Sequence, residues 1–179
     1  MLGDLADLSE ASVKLYVDCE FTDFICCELI SIALVSETGQ EFYGECSDFD
    51  LSVCSPFVRE AVLPQLGQPT AQAYTTSDLR DALLSWWRGL SAAVSECLIC
   101  VDNAIDWDLL IDLLGEVPSG WRGVLVGHLA DPGRREAYFS LHGGRHHALH
   151  DARALRASLV GETSNVVSVA GVKPSRFNF

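Results

Sequence analysis

The sequence predicts an α/β domain built on a five-stranded mixed sheet flanked by helices. Three observations carry that expectation. Three strand-length apolar segments with short turns between them open the chain, which gives an antiparallel meander. Beyond residue 75, helical and strand patterns alternate, which gives parallel strands joined by crossover helices. The 179 residues, 49% of them hydrophobic, suit one domain with a sizeable core.

The first strand is expected at residues 14–20. Alternation puts Leu15, Val17 and Cys19 on one face and Asp18 with Glu20 on the other. Two like charges side by side on an apolar strand repel each other and lose hydration. Either a cation compensates them, or the strand ends there and both acids reach water. Residues 22–27 connect to a second strand at 29–35, rich in β-branched and apolar side chains. Residues 36–40 form a turn, with Gly39 available for positive φ, and residues 41–45 a third strand. Pro56 and Pro64 delimit a short helix at 57–66, and 67–74 reads as a loop.

Thr75 and Asp78 resemble a capping box ahead of a helix at 78–93, whose Leu79, Ala82, Leu83, Trp86, Trp87 and Leu90 share one stripe. Residues 96–102 are apolar almost throughout and end on Asp102, as a central parallel strand would. A helix at 104–114 stops at Gly115, with Pro118 beyond. A fifth strand is expected at 122–128 and a helix at 132–141, broken by Gly143-Gly144. A closing helix spans 147–160, and a Ser/Val/Gly tail of unassigned packing occupies 163–179. The whole reads as a single domain with its core at about 14–160.

The net charge of −13, from 12 Lys and Arg against 25 Asp and Glu, argues against general electrostatic attraction to nucleic acid. The cations are nevertheless concentrated late: Arg122, Arg134, Arg135, Arg145, Arg153, Arg156, Lys173 and Arg176 all lie in the last third. A local polyanion site therefore remains open. No apolar run is long enough to cross a bilayer, and the acidic start lacks a signal-peptide pattern, so a cytoplasmic protein with no membrane partner is expected. Seven cysteines in no framework spacing fit a reducing compartment. Cys97-x-x-Cys100 lies on a strand that turns the two residues to opposite faces, so both read as core.

Acidic stations recur three times. Asp18-x-Glu20 is on the first strand, residues 102–108 (Asp-Asn-Ala-Ile-Asp-Trp-Asp) span a strand-to-helix junction, and residues 146–151 (His-His-Ala-Leu-His-Asp) open the last helix. In order and spacing they resemble the DEDDh (DnaQ-like) family of 3′–5′ exonucleases, over roughly residues 14–158. Leu29-Ile30-Ser31-Ile32 and the His-Ala-Leu-x-Asp-Ala style of the third station are further family-like features. The likeness is greatest to a small bacterial and phage exoribonuclease group. The resemblance implies a ribonuclease H-like fold. It also implies an activity that releases nucleoside 5′-monophosphates from the 3′ ends of single-stranded or 3′-overhang nucleic acid, RNA being favoured.

Residue by residue, it carries over Asp18, Glu20, Asp106 and Asp151 as metal ligands and His146 as general base. Asp106 is preferred to Asp108 because the family pattern places two bulky apolar residues three and four positions on, here Leu109 and Leu110; Ile105 departs from the aromatic residue common before that Asp. His146 satisfies the family's His-x4-Asp count, whereas His147 with Asp151 would be the one-face pair of a continuous helix. His142, His147 and His150 take the structural reading. Phe21 and Thr22 are candidates to touch the terminal nucleotide, and Arg145 and Arg153 the phosphate backbone; packing and solvated surface are the plainer alternatives.

The implied chemistry has a physical logic. A phosphodiester is anionic and resists attack, and two divalent ions about 3.5–4 Å apart activate water and stabilise the leaving oxygen. Hard Mg²⁺ or Mn²⁺ prefers carboxylate oxygens. A histidine, with an ordinary pKa of about 6.5, suits the attacking water's proton. Rival readings are a DNA-directed exonuclease with the same site and a catalytically silent nucleic-acid or partner-binding module of the same fold. Resembling proteins often pair, and the apolar run at 166–172 suits either a homodimer interface or a strand within the monomer.

Overall fold

The computed structural model describes residues 12–67, 72–90 and 96–159. A mixed sheet of six strands runs in the order β4-β3-β2-β1-β5-β6. β1 (Ser12–Phe21), β2 (Leu29–Ser36) and β3 (Glu41–Cys46) form the expected antiparallel meander. β5 (Glu96–Val101) lies parallel to β1 on its other side, and β6 (Trp121–Leu125) parallel to β5. The sheet has one strand more than expected. β4 (Ala73–Tyr74) adds two residues parallel to β3 within the stretch read as a loop, too short to show an alternation.

α1 (Thr76–Leu90) and α2 (Ala104–Leu114) cover one face, where Leu15, Val17, Cys19, Ile32, Leu34, Leu79, Leu83, Ile99 and Leu110 make the main core. The Thr75 hydroxyl and Asp78 bond each other at the head of α1, and Asp48 accepts from the Thr76 amide. α3 (Pro132–His142) and α4 (Ala148–Leu159) follow β6. α4 covers the other face, where Leu155 packs with Tyr16, Leu98, Cys100 and Val124. Cys97 and Cys100 do fall in opposite clusters, and none of the seven cysteines is paired.

Three boundaries differ from expectation. Residues 57–66 do not form a regular helix: Val58–Val62 is a π turn, in which the Leu63 N–H reaches back to the Val58 carbonyl, and Leu63–Gln65 is a 3-10 turn. Pro64 has no N–H to continue an α-helical ladder. β6 stops at Leu125, leaving His128 in a 3-10 turn. The last helix begins at Ala148, because His146 adopts a left-handed φ of 65°. The tail at 163–179 and the ends of the helices expected at 93 and 160 lie outside the described residues.

Candidate active site

Four elements converge at the C-terminal ends of β1 and β5, where open α/β sheets place their sites. β1 turns Leu15, Val17 and Cys19 into the main core and leaves Asp18 and Glu20 on the opposite face. A register irregularity between Glu20 and Phe21 ends the regular pairing there. Asp102 follows the last residue of β5. Asn103 caps α2, its side chain accepting from the Ile105 amide, and so sets Asp106 in the first helical turn. The Asp106 carboxylate turns inward and accepts from the Cys19 amide at 3.1 Å, while Asp108, two residues on, is exposed. Asp151 comes from the first turn of α4, where its carboxylate accepts from the His147 amide at 3.0 Å.

The carboxylates form two groups of three, each with ligand oxygens within 4.8 Å of one another: Asp18, Asp102 and Asp106, and Asp18, Glu20 and Asp151. Asp18 belongs to both. The structure therefore brings the four acids expected from sequence into one small volume and adds a fifth, Asp102. The signal for Asp102 was its position at the end of a central strand. Arg135 of α3 had no sequence signal. It lies 2.6 Å from Asp102 and 3.9 Å from Asp151, so a single guanidinium spans the outer members of both groups.

One arginine does not offset five acids. Burial drives the Asp18 carboxyl well above the usual carboxylate range, reinforced by Asp106, Asp151, Glu20 and Asp102. Burial, then Asp151 and Asp106, pushes Glu20 up to about 8. Burial and Asp102 push Asp106 up to about 8, against the opposing backbone donors of Cys19 and Asn103. Asp151 is raised by burial and opposed by the His147 and His146 amides and by Arg135. Mutual repulsion in an all-oxygen donor set is what a hard divalent cation relieves, and Mg²⁺ or Mn²⁺ fits these residues.

The two neighbouring histidines differ in setting. His146 is half-buried at the site's edge, its ring edge-on to Phe57 at 4.9 Å, and its charge is felt by Asp151. His147 is buried and stacked on Tyr43 at 4.7 Å; its Nδ1 has no hydrogen-bond partner, and burial lowers its pKa. Gly144 lets the loop reach this point: its φ is 75°, and a Cβ there would strike the His150 ring.

The substrate candidates separate. Thr22 is fully buried, its hydroxyl donating to the Cys26 carbonyl and accepting from the Glu28 amide, so its side chain clasps the 22–28 loop instead of facing a ligand. Phe21 is half-buried and packs edge-on against Phe24, which is 76% exposed. Arg145 is exposed, paired with Glu136 at 2.7 Å and set over the Phe139 ring. Arg153 is held by Glu41 in a two-pronged pair.

No family model matches the chain. Over 63 residues it is 38% identical to proteins named 3′–5′ exoribonuclease from two strains of Mycobacterium tuberculosis, CDC 1551 / Oshkosh and H37Rv. The aligned part is 35% of this chain and 38% of each relative, so the chain spans well under half the length of the proteins it matches. The likeness supports a nuclease family. No helix among the described residues is long and apolar enough to cross a membrane.

Proposed function

We propose that this chain is a divalent-metal-dependent 3′–5′ exonuclease of the ribonuclease H-like DEDDh type, acting on RNA and releasing nucleoside 5′-monophosphates. The observation that carries the reading is Asp18 shared between two groups of three carboxylates, drawn from β1, the β5–α2 junction and α4. The names of the partial relatives favour RNA over DNA.

Asp18, Glu20, Asp106 and Asp151 would hold Mg²⁺ or Mn²⁺, with Asp102 beside them. Bound there, two divalent ions would supply Lewis acidity to the hydrolysis of a phosphodiester. The chain's own residues do the rest. His146, at the edge of the carboxylate cluster, takes the proton from the attacking water. The Cys19 amide and the N-terminus of α4 fix the orientation of Asp106 and Asp151, so the acids are placed before substrate arrives. Phe21, packed on the main core and on Phe24 at the end of β1, is the candidate contact for the terminal nucleotide, and Arg145 for a phosphate once it leaves Glu136.

The test is direct. Purified protein is incubated with single-stranded RNA or DNA bearing a free 3′ end, in Mg²⁺, Mn²⁺ or EDTA. RNA should shorten from its 3′ end with metal and not with EDTA. An Asp18→Ala, Glu20→Ala double variant should be inert, which excludes a contaminating nuclease. Shortening of neither substrate with either metal removes the enzyme reading, and preference for DNA removes the RNA assignment alone.

A further inference from the structure

The segment before β4 contributes no carboxylate to the cluster, yet one of its side chains reaches the histidine loop. The π turn at Val58–Val62 and the 3-10 turn at Leu63–Gln65 deliver Gln65 so that its Nε2 lies 2.7 Å from the Arg145 carbonyl oxygen, 3.0 Å from that of His146 and 2.7 Å from that of Ala61. Three carbonyl oxygens around one atom require a donor, which fixes the amide with its nitrogen inward. Two of those carbonyls flank His146, the only non-glycine residue with positive φ among the described residues. A left-handed backbone persists at a side-chain-bearing residue only where its surroundings over-determine it. Phe57, at the head of the same segment, packs against the His146 ring. The 57–65 segment thus holds His146 by its backbone on both sides and by its imidazole.

We propose that Gln65 is a positioning residue whose side-chain amide locks His146 in the left-handed conformation that sets its imidazole against the Phe57 ring. This rests on the reading of His146 as the general base. Gln65 touches no carboxylate itself; the two peptides it holds carry the His146 and His147 amides that face Asp151, so its effect on the site runs through that loop. A displaced base costs turnover without costing metal or substrate, and misplacement of a catalytic group by about 1 Å is enough to lose about 10²-fold.

The experiment compares Gln65→Ala and the near-isosteric Gln65→Glu, which keeps volume and removes the donor, with wild type on 3′-ended RNA in Mn²⁺. Both variants should lose about 10- to 100-fold in kcat. KM and the Mn²⁺ affinity measured by calorimetry should change much less than kcat, because Gln65 touches neither a carboxylate nor the Arg145 guanidinium directly. In a His146→Ala background the same changes should cost nothing further, since two residues acting as one unit are not additive. A kcat within two-fold of wild type for both variants, or an undiminished loss in the His146→Ala background, overturns the proposal. Hydrogen exchange across residues 144–148 provides an arm independent of catalysis. It should accelerate in Gln65→Ala even if wild type has no nuclease activity; unchanged exchange overturns the brace, whereas an inactive wild type overturns only the function assigned to the site.

Discussion

The two faces of β1 are opposites at a spacing of one residue. Val17 is wholly buried in an apolar core closed by α1 and α2. Asp18, the next residue, sits among four other carboxylates under α4 and the β5–α2 junction. The apolar face makes the strand rigid, and the acidic face loads that rigidity with unfavourable charge. The difference teaches that the apolar core and the chemistry are assigned to alternate residues of a single strand, so the core can be altered without touching the site.

Changes on the acidic face should have the largest effect. Asp18→Asn removes the member common to both carboxylate groups and should lower kcat at least about 10³-fold, several kcal/mol of transition-state stabilisation. The same variant should raise the melting temperature of the metal-free protein, because the cost of burying an ionisable carboxyl among four others is gone. A metal-free melting temperature that falls would break the comparison. His146→Ala should cost about 10²–10⁴-fold in turnover, and His147→Ala much less turnover but measurable stability, since His147 is packed on Tyr43. Single-turnover kinetics paired with thermal melts separates the two.

The apolar face should respond in stability only. Leu15→Ala should cost about 2–5 kcal/mol in chemical denaturation while leaving Mn²⁺ affinity in the folded protein unchanged; a matching loss of affinity would show that the two faces are coupled. A smaller effect follows from the raised carboxyls. Burial and the neighbouring acids push Glu20 and Asp106 up to about 8 in the folded chain, from about 4 when unfolded. The folded state therefore holds extra protons between those values. Their contribution to stability is complete below about pH 4 and is lost as pH rises through about 8. The metal-free melting temperature should fall from pH 5 to 8, and saturating Mg²⁺ or Mn²⁺ should raise it more at pH 8 than at pH 5. A pH-independent metal shift would mean that the acids do not share a site. The smallest effect is expected at the rim, where Arg153→Ala loses a half-exposed pair with Glu41 and should cost about 0.2–1 kcal/mol, read from the denaturation midpoint.

The alternation that separates the faces of β1 was visible in seven residues, 14–20, because a period of two is a property of the strand itself. The meander and the β5–α2 junction were legible for the same local reason. β4 was not, since two residues carry no period and its pairing with β3 is set by distant chain. The irregular turns at 58–65 replaced an expected helix because a proline signals interruption without saying which hydrogen-bond register takes over. At the site, residues matched to a spacing motif were nameable in advance. Arg135 and Gln65 were not, because each acts across the fold on a carboxylate or a carbonyl that nothing local identifies. Thr22 followed a motif strand, but its burial under the 22–28 loop was invisible from its neighbours.

The position of β1 between β2 and β5 also orders events during folding. β1, β2 and β3 are contiguous in the chain and can pair early, whereas the parallel partner of Ser12 is Glu96 and the partners of the Asp18 carboxylate extend to Asp151. Closing those long loops is slow compared with making a hairpin. A nascent chain that has emerged only as far as β3 carries Asp18 and Glu20 as ordinary solvated acids. Asp102 and Asp106 crowd Asp18 once β5 and α2 dock, and Asp151 completes the second group when α4 does. Free divalent cation would therefore favour that final docking, tying completion of the fold to the ion the finished site would hold.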